Sequence, residues 1–174
     1  MQKETKMVKV TLKELLRTQL KDKENACIVI LDELTDVHNV GAILRSAVAT
    51  GVDAVVVAKH NQAPINDTVM HTSAYTANLI PIIESNINDA IRVLKEHKFW
   101  VHGLFMEGET TLWKSDLAGR VAIVVGSEGE GIHEGTKKLC DFALSIPMEK
   151  KVESLNASVS VAVALYERLR QITK

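Results

Sequence analysis

An α/β domain with a mostly parallel sheet and flanking helices is the fold class this chain predicts. From residue 25 onward, short β-branched runs alternate with amphipathic segments, the pattern of strands joined by helical crossovers. The chain's 174 residues, 46% of them hydrophobic, suffice for one substantial core and leave no room for a second full domain beside it.

Residues 1–24 carry seven Lys or Arg against four Asp or Glu and read as a basic helical extension, with the domain proper over 25–174. Thr11 and Glu14 have capping-box spacing, and Val10 with Leu15 is placed to staple the helix entrance. Leu12, Leu15, Leu16 and Leu20 form one apolar stripe, of the kind that packs on its own domain. Lys13, Arg17 and Lys21 form a basic outer face, read as solvated, with RNA contact as the alternative.

The strands expected next are Ala26–Asp32, Asp53–Ala58, Leu79–Ile83, Phe99–Phe105, Val121–Val125 and Phe142–Ile146. Between them the pattern predicts helices over Gly41–Thr50, Asp67–Ala77, Asn86–Lys98 and His133–Cys140, with a closing helix from about Leu155 to Ile172. Gly51 falls where a left-handed helix cap belongs. Asp32 and Asp36 bracket the turn after the first strand, as capping residues do.

A formal charge of −1 and a pI near 6.6 argue against a bulk polyanion binder, so any nucleic-acid surface must be local. Cys27 and Cys140 have no CxxC spacing and read as reduced thiols of a cytoplasmic protein. Met1 to Lys9 lack a signal-peptide core, and no run approaches the roughly 20 apolar residues of a membrane span. The six histidines show no ligand spacing, so no metal is expected. Trp100 and Trp113 read as core or dimer residues, since aromatics at 4% are too sparse for a base-stacking platform.

Three segments carry candidate chemistry. Gly126 to Gly131 reads Gly-Ser-Glu-Gly-Glu-Gly, follows a strand and precedes a helix, and its glycines permit close backbone approach. It is neither a Walker A loop nor a GxGxxG turn. Glu128 and Glu130 argue against a phosphate ligand and suit a sulfonium or a ribose. Asn39, Gly41 and Arg45 run from the end of the first strand into the first helix, Arg45 one turn past its start; Arg45 is read equally as a snorkelling residue or as a fork for phosphate and ribose oxygens. In the third segment Pro147 ends a strand, and Ser154 and Asn156 suit a helix cap. Ile146, Met148 and Leu155 offer apolar contacts around an adenine.

In this order the three segments resemble the motifs of the SpoU family of RNA ribose 2′-O-methyltransferases, from about Ile28 to Arg170. The stretches Leu31 to Gly41 and Val124 to Gly131 look most like the branch that methylates guanosine ribose in 23S rRNA, with the tRNA-modifying branch as the near alternative. The resemblance implies a C-terminal deep trefoil knot, a homodimer, RNA as partner and S-adenosyl-L-methionine as cofactor. It implies cofactor contacts at Leu104, Phe105, Gly126, Ile146, Met148 and Leu155, and a catalytic set of Arg45, Asn39, Glu128, Ser154 and Asn156. Arg45 would then face the other subunit's cofactor. A guanidinium with a pKa above about 12 is a poor base, which favours phosphate fixation and alkoxide stabilisation as its role.

The chain departs from the family pattern at Lys150, where Gly is usual, and at Tyr75, where a small residue is usual. It also shows no separate N-terminal RNA-binding domain, which motivates a second reading as an inactive knotted RNA-binding module. A methyltransferase on an ordinary nucleotide-binding fold would carry its Gly-rich loop after the first strand, where this chain reads Glu33 to His38 without a glycine.

Overall fold

The computed structural model describes residues 9–173; residues 1–8, where the expected basic extension begins, lie outside them. Seven parallel strands form one sheet in the order β3-β2-β1-β6-β4-β7-β5. These are β1 (Cys27–Asp32), β2 (Ala54–Ala58), β3 (Ile82–Ser85), β4 (Trp100–Leu104), β5 (Thr110–Thr111), β6 (Val121–Gly126) and β7 (Phe142–Ser145). The helices are α1 (Leu12–Arg17), α2 (Val37–Ala49), α3 (Asp67–Thr72), α4 (Ile87–Glu96), α5 (Glu134–Lys137) and α6 (Ala157–Ile172).

The central strands β1, β2 and β6 are buried at every position because helices cover both faces. Alternate residues divide between two cores. Val29 and Leu31 pack with α2 and α6 on one face, and Ile28 and Ile30 pack with α1 and α4 on the other. In α4, Ile87, Ala90, Ile91 and Leu94 form one buried stripe. Leu12, Leu15, Leu16 and Leu20 of the N-terminal segment are buried in the same core, and Thr11 caps α1 by accepting the Glu14 N–H.

Helix ends follow side-chain chemistry more closely than periodicity. Helix α2 starts at Val37, four residues before the expected Gly41, because the Asp36 carboxylate accepts the His38 and Asn39 N–H groups. Gly41 therefore lies inside α2, where a Cβ would come 2.6 Å from Thr72 Cβ, so its smallness serves the close packing of α2 on α3. Gly51 has the expected left-handed φ of 75°. Helix α3 stops at Thr72 because Ala74 and Tyr75 take φ of 52° and 62°, and a short 3-10 turn, Thr76–Leu79, replaces the rest of the expected helix. The third strand begins at Ile82, just past Pro81, and not at Leu79. Helix α5 is one turn long, ending at Lys137. The two-residue β5 carries too little pattern to read from sequence.

Of the two alternatives for Trp100 and Trp113, the structure excludes the core, since each is more than half exposed in the single chain. Asp32 does not cap its own turn, but accepts the backbone N–H of His133, far along the chain. None of the described helices is long and apolar enough to cross a membrane.

Candidate active site

The C-terminal ends of β6, β4 and β7 open onto a cavity of about 470 Å³, within the size range of small-ligand sites. Leu104 and Phe105 line it from the end of β4, Gly126 from β6, and Ile146, Met148, Ser154 and Leu155 from the segment after β7. All six residues expected to contact a cofactor thus share one wall system. Glu107, Glu128, Glu130 and Glu134 reach the same lining against a single cation, Lys137, whose Nζ sits 5.5 Å over the Phe105 ring. That imbalance favours a ligand bearing positive charge.

The loop after β6 is folded tightly by its glycines. A Cβ on Gly126 would meet Gly131 C at 2.0 Å and Ile132 N at 2.3 Å, so only glycine lets the loop close over the strand end. The Gly131 N–H donates to Ser127 O at 2.8 Å, and Gly131 itself takes a φ of 69°.

Glu128 joins the three segments. Its Oε1 accepts from Asn39 Nδ2 at 3.3 Å, from Asn156 Nδ2 at 2.8 Å and from the Ala157 N–H at 3.4 Å. Asn156 caps α6 through Oδ1, accepting from the Ser158 N–H at 2.9 Å, so its amide group is free to reach Glu128. A carboxylate held by three donors is fixed in place and keeps its second oxygen for a ligand.

Ser154 is exposed on the cavity rim with no hydrogen bond among the described residues. Arg45 does not line this cavity. It lies on the exposed side of α2, with no ion pair or hydrogen bond among the described residues. A single chain therefore brings together Asn39, Glu128, Ser154 and Asn156 but leaves the guanidinium outside. Lys150 is exposed without a positive φ, so the loop after Pro147 needs no glycine there; Tyr75 does take the left-handed conformation.

His133 received no role from its sequence context. Its backbone N–H donates to Asp32 Oδ2 at 2.8 Å, while Nδ1 lies 3.2 Å from the same oxygen, off the line of a good hydrogen bond. Nε2 lies 3.4 Å from Glu33 Oε2 and 3.8 Å from Glu130 Oε2. Partial burial is the largest single influence and opposes protonation, yet Asp32, Glu33 and Glu130 together outweigh it and raise the imidazole above its ordinary 6.5. No short motif flags this cluster, because its members come from β1, the loop after it and the loop after β6. The thiols of Cys27 and Cys140 are both pushed up to about 12, chiefly by burial, which leaves them poor nucleophiles at neutral pH. The described residues contain no group of three or more side chains placed to hold a metal ion.

The profile of the SpoU rRNA Methylase family matches residues 26–166. The chain belongs to the SpoU rRNA methylase family. Among its SpoU relatives, the 23S rRNA (guanosine-2′-O-)-methyltransferase RlmB of Xanthomonas campestris is 44% identical over 147 residues, covering 84% of this chain and 59% of the relative. The Escherichia coli protein of the same name is 43% identical over 145 residues, covering 83% and 60%. The chain thus spans about three fifths of the length of these relatives. A crystal structure of the SpoU methyltransferase AviRb from Streptomyces viridochromogenes, in complex with the cofactor AdoMet, superposes with a TM-score of 0.80 at 26% identity, covering 86% of this chain and 58% of that one.

Proposed function

We propose that this SpoU chain is an S-adenosyl-L-methionine-dependent RNA ribose 2′-O-methyltransferase acting on guanosine of 23S rRNA, as a homodimer in the cytoplasm. The observation that carries the reading is the Glu128 junction: one carboxylate ties Asn39 to Asn156 at the edge of a cavity whose lining suits an adenosyl group. Leu104, Ile146, Met148 and Leu155 supply apolar contact for the base, and the four lining glutamates favour a cationic sulfonium. The names of the relatives and the AdoMet-bound neighbour support the same substrate and cofactor.

The cofactor supplies an electrophilic methyl group on a cationic sulfur. A ribose 2′-oxygen held in line would take that methyl and give its hydroxyl proton to a phosphate or water, and the demethylated cofactor would leave as the neutral thioether. The protein's task is orientation, which can supply much of the rate. Asn39, Glu128, Ser154 and Asn156 position the ribose. Arg45 fixes an adjacent phosphate and stabilises the developing alkoxide.

The exposed position of Arg45 supports its delivery to the cavity of a second subunit. Val159 and Tyr166, two turns apart on α6 and both exposed, offer apolar surface for that dimer. A trefoil knot belongs to the same proposal; the insertion of β6 between β1 and β4, and of β7 between β4 and β5, supports a chain that threads back through itself.

Calorimetric titration with S-adenosylhomocysteine tests the cofactor site, and absence of heat at every concentration removes the enzyme reading. Nucleoside mass spectrometry of 23S rRNA from cells lacking the protein tests the substrate. A full complement of 2′-O-methylguanosine in that RNA refutes it.

A further inference from the structure

Beyond the cavity, the loop that forms its floor is anchored at both ends to the same strand terminus. Gly126 pairs in register with Asp32 at the end of β1, and seven residues later the His133 N–H returns to the Asp32 carboxylate. Between them lie Ser127, Glu128, Gly129 and Glu130, which line the cavity. The return is closed by charge. The imidazole of His133 stands among Asp32, Glu33 and Glu130, one from the strand, one from the turn after it and one from the loop itself. Of its neighbours on α5, Glu134 is exposed and Lys137 turns toward Phe105; among the described residues no other cation pairs with the three carboxylates, and Glu33 accepts besides only from the neutral Asn61 amide.

We propose that His133 is a positioning residue whose proton clasps the loop over residues 126–133, so that the cofactor site is held closed while the imidazole is charged and loosens when it is neutral. The inference rests on the cofactor reading above. With the proton on, the charged ring lies within ion-pair distance of all three carboxylates, 3.2 Å from Asp32, 3.4 Å from Glu33 and 3.8 Å from Glu130. With it off, one nitrogen becomes an acceptor facing a carboxylate oxygen, and three anions crowd around a neutral ring. A cofactor that binds only the closed loop then loses affinity as the proton leaves.

The sign follows from the direction of the shift. A base whose pKa is raised in the folded loop stabilises it fully below the ordinary 6.5, and the benefit disappears as pH climbs through the raised value.

The test compares the full chain with H133Q and H133K. S-adenosylhomocysteine is the calorimetric probe, because its uncharged thioether removes any direct attraction between a sulfonium and the bared carboxylates. The ratio of dissociation constants, H133Q over wild type, cancels the titration of the ligand's own amino group. It is expected to be roughly threefold to tenfold near pH 6 and to approach one near pH 9. H133K, charged throughout that range, should keep its affinity where the wild type loses it. In parallel, hydrogen exchange of the Gly131, Ile132 and His133 amides in the free chain should show protection over H133Q that vanishes at alkaline pH.

A ratio that stays constant with pH, or that equals one throughout, overturns the clasp. If S-adenosylhomocysteine binds neither chain at any pH, the cofactor reading falls instead, and the exchange comparison alone decides the clasp: equal protection at every pH overturns it.

Discussion

Replacing Gly126 with alanine should damage the loop over the cavity more than any other single methyl group added there. The new Cβ would lie 2.0 Å from Gly131 C, 2.1 Å from Gly131 O and 2.3 Å from Ile132 N. An ordinary contact begins at 3.4 Å, so the nearest of these atoms must retreat by 1.4 Å, the difference between the two distances. Gly126 itself cannot yield, because β6 is held between β1 and β4. The loop must move instead. Overpacking of this kind costs about 1–3 kcal/mol. Losing the Gly131 N–H to Ser127 O bond adds about 1 kcal/mol.

The total of about 2–4 kcal/mol lowers Tm by roughly 4–16 °C if the loop stays folded with the domain. If the loop opens locally, the same free energy appears as weaker ligand binding, about tenfold for each 1.4 kcal/mol. Scanning calorimetry and titration with S-adenosylhomocysteine together capture both routes. Gly129→Ala is the matched control, since a Cβ there meets nothing within 4 Å. A Gly126→Ala chain with both Tm and affinity equal to those of the Gly129→Ala chain refutes the close-packing argument.

Glu128→Ala strands the amides of Asn39 and Asn156 and should cut methyl transfer by roughly 10²-fold or more, while costing about 1–2 kcal/mol in chemical denaturation. Glu128→Gln, which keeps an acceptor oxygen, should retain most of the stability. Arg45→Ala should leave Tm within about 1 °C of wild type, because the side chain is exposed and unpaired among the described residues, yet should abolish methylation in a single-turnover assay with S-adenosylhomocysteine affinity unchanged. His102 is buried with both ring nitrogens unpartnered among the described residues, and burial pushes its pKa down to about 4, with the charges of Asp141 and Asp116 pulling the other way. The unfolded chain therefore takes up a proton near 6.5 that the folded chain refuses, and stability falls as pH drops from there to about 4. Denaturation of His102→Gln over this range should show a shallower pH dependence, and an unchanged slope contradicts the assignment.

Much of the local structure was legible in the residues. Ala26–Asp32 and Val121–Val125 read as strands, which the structure matches to within a residue, and Thr11, Asn86 and Asn156 each announced a helix start that the structure bears out with a side-chain cap. Asp36 was read as a cap too, yet periodicity still placed the helix start at Gly41. A capping carboxylate acts on the backbone N–H groups directly after it, and that rule outranks the apolar pattern. Gly41 was misread for a related reason. Its role depends on Thr72, which no local window contains.

The convergence of Asn39, Glu128 and Asn156 was anticipated only through the family resemblance, since nothing in the spacing of 39, 128 and 156 requires them to meet. His133 lay beyond both routes, because its partners Asp32 and Glu33 are about a hundred residues away. Side-chain periodicity and capping chemistry act over a few residues, so the sequence alone determined which segments become strands and helices and which faces they bury. Strand order, the fold of the loop against Gly126, and the carboxylates gathered around His133 depend on contacts between distant segments; only the tertiary structure decided those, because every parallel crossover satisfies the same local pattern whichever neighbour it finally meets.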